Sequence, residues 1–291
     1  MPSPAAPPPA AEVRVQPAAT VMVVDDRPDL HVLLLRRRAG SAFVGGMYVF
    51  PGGAVDPHDA DPEVEAVCAD LDDASASARL GVERGGLAYW VAATRETFEE
   101  AGVLFARDRS TGAPVDGSRE EFDGIRRAIG RRERAFSEFV EAEDLVLDTG
   151  ALHVFSHWIT PQGMPRRYDT WFFVAEAPEG HGYVHDDAET VASAWVRPNE
   201  AISAARRDEF QIIFPTMKNL EAIGRFDRAA GLLDVTGAAS AVDAVEPRIV
   251  QDATGIRLLL PGDPGYDDAP ELPDDALAPL PVEALRGERG G

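Results

Sequence analysis

Arg95-Glu96-Thr97-Phe98-Glu99-Glu100-Ala101-Gly102-Val103 is the stretch that decides the reading of this chain. Glu96, Glu99 and Glu100 stand at i, i+3 and i+4, so a helix presents all three carboxylates on one side. At that spacing ionised acids repel one another and call for a compensating cation. An all-oxygen cluster suits Mg²⁺ or Mn²⁺. Arg95 adjoins the cluster, where its planar fork can orient a carboxylate. Gly102 ends or loosens the helix just beyond it. A bare E-x-x-E-E string is more often a solvated helix face, and the company it keeps decides the matter. Upstream, the apolar run Met47 to Phe50 stops at Pro51-Gly52-Gly53, and paired glycines allow close backbone approach to a metal or phosphate.

Working outward, Leu87 to Phe105 reads as a strong helix carrying the signature near its C-terminal end. Pro62 to Ala78 is Ala- and acid-rich and predicts a helix that Leu80 to Gly86 breaks. Glu120 to Ala142 is a further helical stretch, crowded with Arg126, Arg127, Arg131, Arg132 and Arg134; these alternate with acids and are read as a solvated face. Thr20 to Val24 and His31 to Leu35, parted by a polar turn, predict a β-hairpin. Strands are also expected at Leu152 to Trp158, Thr170 to Ala175, Val191 to Val196 and Arg257 to Gly262, with helices at Asn199 to Arg207 and Pro215 to Phe226. This grouping predicts an α+β fold. Residues 1–16, with Pro at 2, 4, 7, 8 and 9, are expected as a disordered leader, and the acid- and Pro-rich residues 263–291 as a loose tail.

Composition bounds the function. The 291 residues hold 50 Asp and Glu against 28 Lys and Arg, a net charge of −22, which disfavours tracking a nucleic-acid backbone. A small anionic substrate stays open, because a bound cation inverts the local field. The one cysteine, Cys68, excludes an intramolecular disulfide and a cysteine-based zinc site. No apolar run reaches the roughly 18 residues of a membrane span, and no secretory signal or peroxisomal address is present, so a cytoplasmic location is expected. His153 and His157 share one face if their run is a regular strand, but with no third ligand nearby they are read as structural. Trp158, Tyr168 and Trp171 are read as core aromatics, with base stacking as the alternative.

The signature resembles the second half of the Nudix hydrolase pattern G-x5-E-x7-R-E-U-x-E-E-x-G-U, with Thr97 departing from the bulky apolar U. Phe50-Pro51-Gly52-Gly53-Ala54-Val55-Asp56-Pro57-His58-Asp59 resembles the first half, with Asp59 where the pattern has Glu. Thirty-five residues separate Asp59 from Arg95, 28 more than the seven of the pattern, so the motif carries a helical insertion at about 60–86. The combination of F-P-G-G, a long insertion and R-E-T-F-E-E-A-G is similar to the coenzyme A diphosphatase branch, in particular the mammalian peroxisomal type and its bacterial relatives.

That resemblance implies a Nudix-type α/β/α sandwich of mixed sheet with helices, spanning residues 17–262 with additional helices at about 119–142. It implies Glu96, Glu99, Glu100 and the Gly52 carbonyl as ligands of Mg²⁺ or Mn²⁺, with Arg95 as the orienting residue and Asp59 nearby. The catalytic candidates are Arg95, Glu99, Glu100 and Glu189, the last chosen from Asp186-Asp187-Ala188-Glu189 as general base. Arg36, Phe50 and Arg167 are the substrate-binding candidates, and Arg166 shares the turn with Arg167. The implied reaction is attack of metal-activated water on a diphosphate, splitting coenzyme A or an acyl-coenzyme A into 3',5'-ADP and a 4'-phosphopantetheine product. Hydrolysis of ADP-ribose or a dinucleotide is the alternative within enzymes; a non-catalytic nucleotide sensor is the alternative outside them, disfavoured by retention of the three glutamates. The expected partner is a small nucleotide substrate, with a homodimer allowed and neither nucleic acid nor membrane.

Overall fold

The computed structural model describes residues 13–37, 46–180, 190–238, 242–252 and 255–273. In chain order the elements are β1 (Val15–Asp26), β2 (Leu30–Arg37), β3 (Tyr48–Val49), β4 (Gly52–Ala54), α1 (Asp73–Leu80), α2 (Leu87–Ala101), β5 (Ala106–Asp108), α3 (Asp123–Gly130), α4 (Phe136–Ala142), β6 (Leu145–Leu147), β7 (His153–Ile159), β8 (Arg167–Glu176), β9 (Thr190–Val196), α5 (Pro198–Arg206), α6 (Phe214–Ile223), α7 (Ala229–Gly237), β10 (Ala244–Val245), β11 (Arg248–Asp252) and β12 (Gly255–Leu259). The expected hairpin is β1–β2. It starts at Val15, two residues inside the stretch expected as leader.

One mixed sheet runs in the order β10-β7-β8-β1-β2-β3, with β4 on β1 and β9 on β2. Its centre is β1, whose ten residues Val15 to Val24 pair parallel with β8. The other edge of β1 is divided: Ala18 to Thr20 pair with β4 and Val24 to Asp26 with β2. At the fork between them the Val21 N–H donates to the Pro51 carbonyl at 2.9 Å. That fork drives the Gly52-Gly53 segment out of the β2 layer and toward α2.

Alternation along the central strands sorts side chains onto two buried faces. Val21, Val23, Leu33, Leu35, Trp171 and Phe173 join a core beneath α2. Met22, Val24, Val32, Leu34, Phe172 and Val174 join a second core with α5, α6 and α7. The result is the expected α/β/α sandwich. Among the described residues no helix is long and apolar enough to cross a membrane.

Several expected helices are subdivided. The stretch 62–78 is a 3-10 turn at Pro62–Val67 followed by the separate α1. Pro57 and Pro62 each open a 3-10 turn, Asp70 takes a left-handed conformation, and the Asp72 carboxylate caps α1 by accepting the Ser75 N–H at 2.7 Å. Asp73 then accepts the N–H groups of Gly85 and Leu87, both at 3.0 Å, so the insertion is tied to the start of α2. Helix α2 ends at Ala101 rather than Phe105, because Gly102 is left-handed with φ 68° and the N–H groups of Gly102 and Val103 bond back to Phe98 and Thr97. The 120–142 stretch breaks between α3 and α4, where Arg132 is left-handed with φ 58°. Of the stretch expected as a tail, residues 263–273 are described, and Tyr266 is tied to the fold there: Arg248 donates to its carbonyl at 2.9 Å and its hydroxyl donates to Glu246 O at 2.8 Å.

Four phenyl rings lock the α3–α4 unit to α2. Phe98 stacks on Phe139 at 5.0 Å and meets Phe122 and Phe136 at 6.0 and 6.1 Å. Truncating the fully buried Phe139 to Ala removes the ring that touches the other three. Phe139→Ala is expected to destabilise the protein by about 3–5 kcal/mol, measured by urea unfolding against the parent chain.

Candidate active site

Arg95 organises the site. Its Nε and Nη2 each donate to one oxygen of Asp59 at 2.8 Å, a bidentate pair, and Nη2 also donates to the Ala54 carbonyl at 2.9 Å. Nη1 donates to Glu96 at 2.8 Å and to Glu99 at 2.9 Å. Asp59 is 2% exposed and so reaches the cluster across the 35-residue separation. The turn before it is a capping box: the Asp56 N–H donates to Asp59 Oδ2 at 2.7 Å and Asp56 caps the 3-10 turn. Thr97 is compatible with its buried position because its hydroxyl donates to the Ala93 and Thr94 carbonyls, both at 3.0 Å.

The paired glycines are there for lack of room. A Cβ on Gly52 would lie 2.5 Å from the Ala19 carbonyl oxygen, and one on Gly53 would lie 2.5 Å from the Glu96 carboxylate. Glu100 is held from the other side, accepting the Gly52 N–H at 3.0 Å. The Gly130 end of α3 also closes on the cluster, since a Cβ there would stand 3.1 Å from Glu99 Oε2.

Burial of these charges sets their protonation. Burial, together with the charge of Glu96, pushes the Glu99 carboxyl up to about 7 against the pull of Arg95. Burial likewise pushes Asp59 upward, opposed by its hydrogen bonds from Arg95. For Arg95 burial works against the charged form, but the bonds to Asp59 and the charges of Glu96, Asp59 and Glu99 outweigh it and hold the guanidinium well above its usual range.

Among the described residues no three acid, imidazole or thiol side chains are drawn into ligand geometry; Glu96 and Glu99 share Arg95 instead. The chemistry of the donors still fits a hard divalent cation. They are carboxylate oxygens, nearly buried, and burial and then the charge of Glu96 drive Glu99 to hold its proton.

The cluster opens into a cavity of about 1480 Å³. It is lined by Gly52, Gly53, Glu96, Glu99 and Glu100 and also by the rings of Phe50, Trp158, Tyr168, Phe172 and Phe214. Phe50 is therefore brought to the cavity, edge-on to Phe172 at 6.5 Å. Arg36 is not among its lining residues: it donates to the Gly46 carbonyl at 3.4 Å and lies 5.9 Å from the Tyr48 ring, while Arg37 lines the cavity. The β2–β9 pairing shifts register between these two arginines, which breaks the alternation. Arg167 also turns away, bound to the Thr160 carbonyl at 3.0 Å and to Glu246 at 2.6 Å; Arg166, one step along the strand, faces the cavity. Glu189, with Asp186 and Asp187, lies outside the described residues.

Two cavity features run against the sequence reading. Trp158 is both core and cavity wall, because the fold buries it 92% yet leaves it at the lining. All five arginines from Arg126 to Arg134 line the cavity, and Arg126 is buried rather than solvated. The histidines part company too. Between Val154 and Ser156 the β7–β8 register slips by one residue, so His153 pairs opposite Val174 and His157 opposite Trp171. They lie on opposite faces: His153 hydrogen-bonds the Thr236 hydroxyl at 3.0 Å, and His157 binds Asp169 and stacks on Trp171 at 3.9 Å.

Residues 81–223 match the family model described as the NUDT19 Nudix domain. A curated relative, acyl-coenzyme A diphosphatase NUDT19 of Homo sapiens, is 30% identical over 270 residues, covering 81% of this chain and 72% of that protein. The protein of the same name from Gallus gallus is 28% identical over 282 residues, covering 84% and 74%. Among solved structures, a Nudix hydrolase from Alicyclobacillus acidocaldarius matches with a TM-score of 0.65 at 27% identity, covering 80% of this chain and 100% of that one.

The glycine contacts make a direct test. Gly53→Ala sets a methyl against the Glu96 carboxylate and is expected to cut diphosphate hydrolysis at least about tenfold, while far-UV circular dichroism stays that of the parent.

Proposed function

The chain belongs to the Nudix hydrolases of the NUDT19 type, and from that premise we propose that it hydrolyses the diphosphate linkage of coenzyme A or an acyl-coenzyme A. The observation that carries this reading is a cavity lined both by the carboxylates of Glu96, Glu99 and Glu100 and by the rings of Phe50, Trp158, Tyr168, Phe172 and Phe214. A substrate with a diphosphate and a long, partly apolar arm matches that mixed lining. The names of the curated relatives point the same way.

Glu96, Glu99 and Glu100, with the Gly52 carbonyl, would hold Mg²⁺ or Mn²⁺. When bound, such a cation supplies charge compensation to the diphosphate and acidifies a water molecule. Arg95 is tethered to Asp59 and to the Ala54 carbonyl, and so fixes where Glu96 and Glu99 point. Glu100 is oriented by the Gly52 N–H. Glu99 and Glu100 would be the carboxylates that take a proton from the attacking water. Phe50 and the other rings lining the cavity would shield the substrate arm from bulk water.

The deciding experiment is a panel of coenzyme A, acyl-coenzyme A, ADP-ribose and dinucleoside polyphosphates with Mg²⁺ or Mn²⁺, read by product mass. Coenzyme A or its acyl ester is expected to be the best substrate, giving 3',5'-ADP, with activity lost in Glu99→Gln. Preference for ADP-ribose or a dinucleotide would overturn the substrate assignment. Tight nucleotide binding without turnover of any diphosphate would sink the hydrolytic reading for this chain.

Cation binding should carry a pH signature. Glu99 holds its proton below about 7 in the cation-free protein, and a ligating carboxylate must release it. Affinity for Mn²⁺ is therefore expected to rise with pH up to about 7 and level off above it. Calorimetric titration near pH 6 in buffers of different ionisation enthalpy should show net proton release, absent in Glu99→Gln.

A further inference from the structure

We propose that Arg126 and Arg127 of α3 form a subsite for a phosphate monoester of the substrate, separate from the diphosphate that is cleaved; this rests on the hydrolytic reading above. Arg126 is 7% exposed. Its Nη2 donates to Asp123, but Nε and Nη1 are shielded from solvent and have no hydrogen-bond partner among the described residues. A buried guanidinium with two idle donors is costly unless an acceptor arrives. Both arginines line the cavity that holds the carboxylate cluster.

The surroundings favour an anion there. Arg131, Arg132 and Arg134 line the same wall, where Arg132 pairs with Asp56 at 2.9 Å and Arg131 with Glu133 at 2.9 Å. Such a concentration of cations is conspicuous in a chain of net charge −22. Planar guanidinium forks match phosphate oxygens, and a dianion facing a desolvated arginine is strongly held.

Position separates this site from the scissile bond. Gly130, at the other end of α3, abuts Glu99, and Arg126 lies one helical turn earlier, roughly 6 Å along the axis. The phenyl cluster of Phe98, Phe122 and Phe139 fixes α3 against α2, so the offset is set by packing. A substrate carrying a second anionic group at that offset engages both ends. One with only the diphosphate leaves Arg126 unpartnered.

The test compares coenzyme A with dephospho-coenzyme A, which share the diphosphate and differ by one phosphate monoester. The full-length parent with Mg²⁺ is expected to favour coenzyme A in kcat/KM. In Arg126→Gln and Arg127→Gln the ratio of kcat/KM between the two substrates should fall about tenfold or more, mainly through KM, and Arg126→Lys should recover part of it. Calorimetry with adenosine 3',5'-bisphosphate against adenosine 5'-monophosphate gives a reading independent of turnover, with the same preference expected and the same loss in the variants. If neither parent reading favours the extra phosphate, or if both substrates weaken equally in the variants, the subsite is overturned. If Arg126→Gln does not fold, Arg126→Lys and the exposed Arg127→Gln decide. Failure of hydrolysis with retained bisphosphate preference would sink the proposed reaction and leave the subsite standing.

Discussion

Arg95 is a cation withdrawn almost wholly from water, and the segment from Ala54 to Asp59, distant in sequence, joins its own helix in satisfying it. The capped turn after β4 supplies Asp59, β4 supplies the Ala54 carbonyl, and α2 supplies Glu96 and Glu99. Removing one partner from a buried ionic group of this kind commonly costs about 3–5 kcal/mol, because a charge is left uncompensated. The arrangement therefore specifies geometry more than it adds stability. It brings the glycine strand to the glutamate helix and leaves no space for a side chain at Gly53. The forked edge of β1 makes this approach feasible, by detaching β4 from the β2 layer.

From that junction the cavity extends over the even-numbered face of β8, where Tyr168, Thr170 and Phe172 contribute to its wall. Its lining combines carboxylates, arginines and aromatic rings. The helices α3 and α4 supply the basic portion, and they are rigidly carried because Phe98, immediately before Glu99 in sequence, is the ring on which they pack. One helix thus turns its glutamates to the site and its phenylalanine to the support of the opposing wall.

Much of this was legible in the sequence. The β-rich runs Thr20 to Val24 and His31 to Leu35, parted by a polar turn, marked the central hairpin, and the i, i+3, i+4 glutamates with the F-P-G-G turn pointed to residues that the fold does bring together. What escaped reading depended on tertiary context. Prolines and capping aspartates divide the insertion into short turns, though its composition favours one helix. Helix α7 is a brief apolar stretch, Ala229–Gly237, with glycines inside it and no clear polar face. Arg126 shares its composition with solvated neighbours, and only the packing of α3 distinguishes it. Choosing Arg37 over Arg36 and Arg166 over Arg167 required the parity of a strand, which a sequence conveys only while the pairing stays regular.

That parity has a wider consequence in β7. The extra residue at Phe155 reverses which side chains face which way for the rest of the strand. It is what sends Trp158 to the cavity and His157 to the opposite core. A length change of one residue upstream of Ser156 would exchange these two rings in a single step, turning an apolar wall into an imidazole-bearing one. The polarity of the cavity is thus encoded in the spacing of the strand as well as in its residue types, and a lineage could revise it by an indel where point substitutions would alter one position at a time.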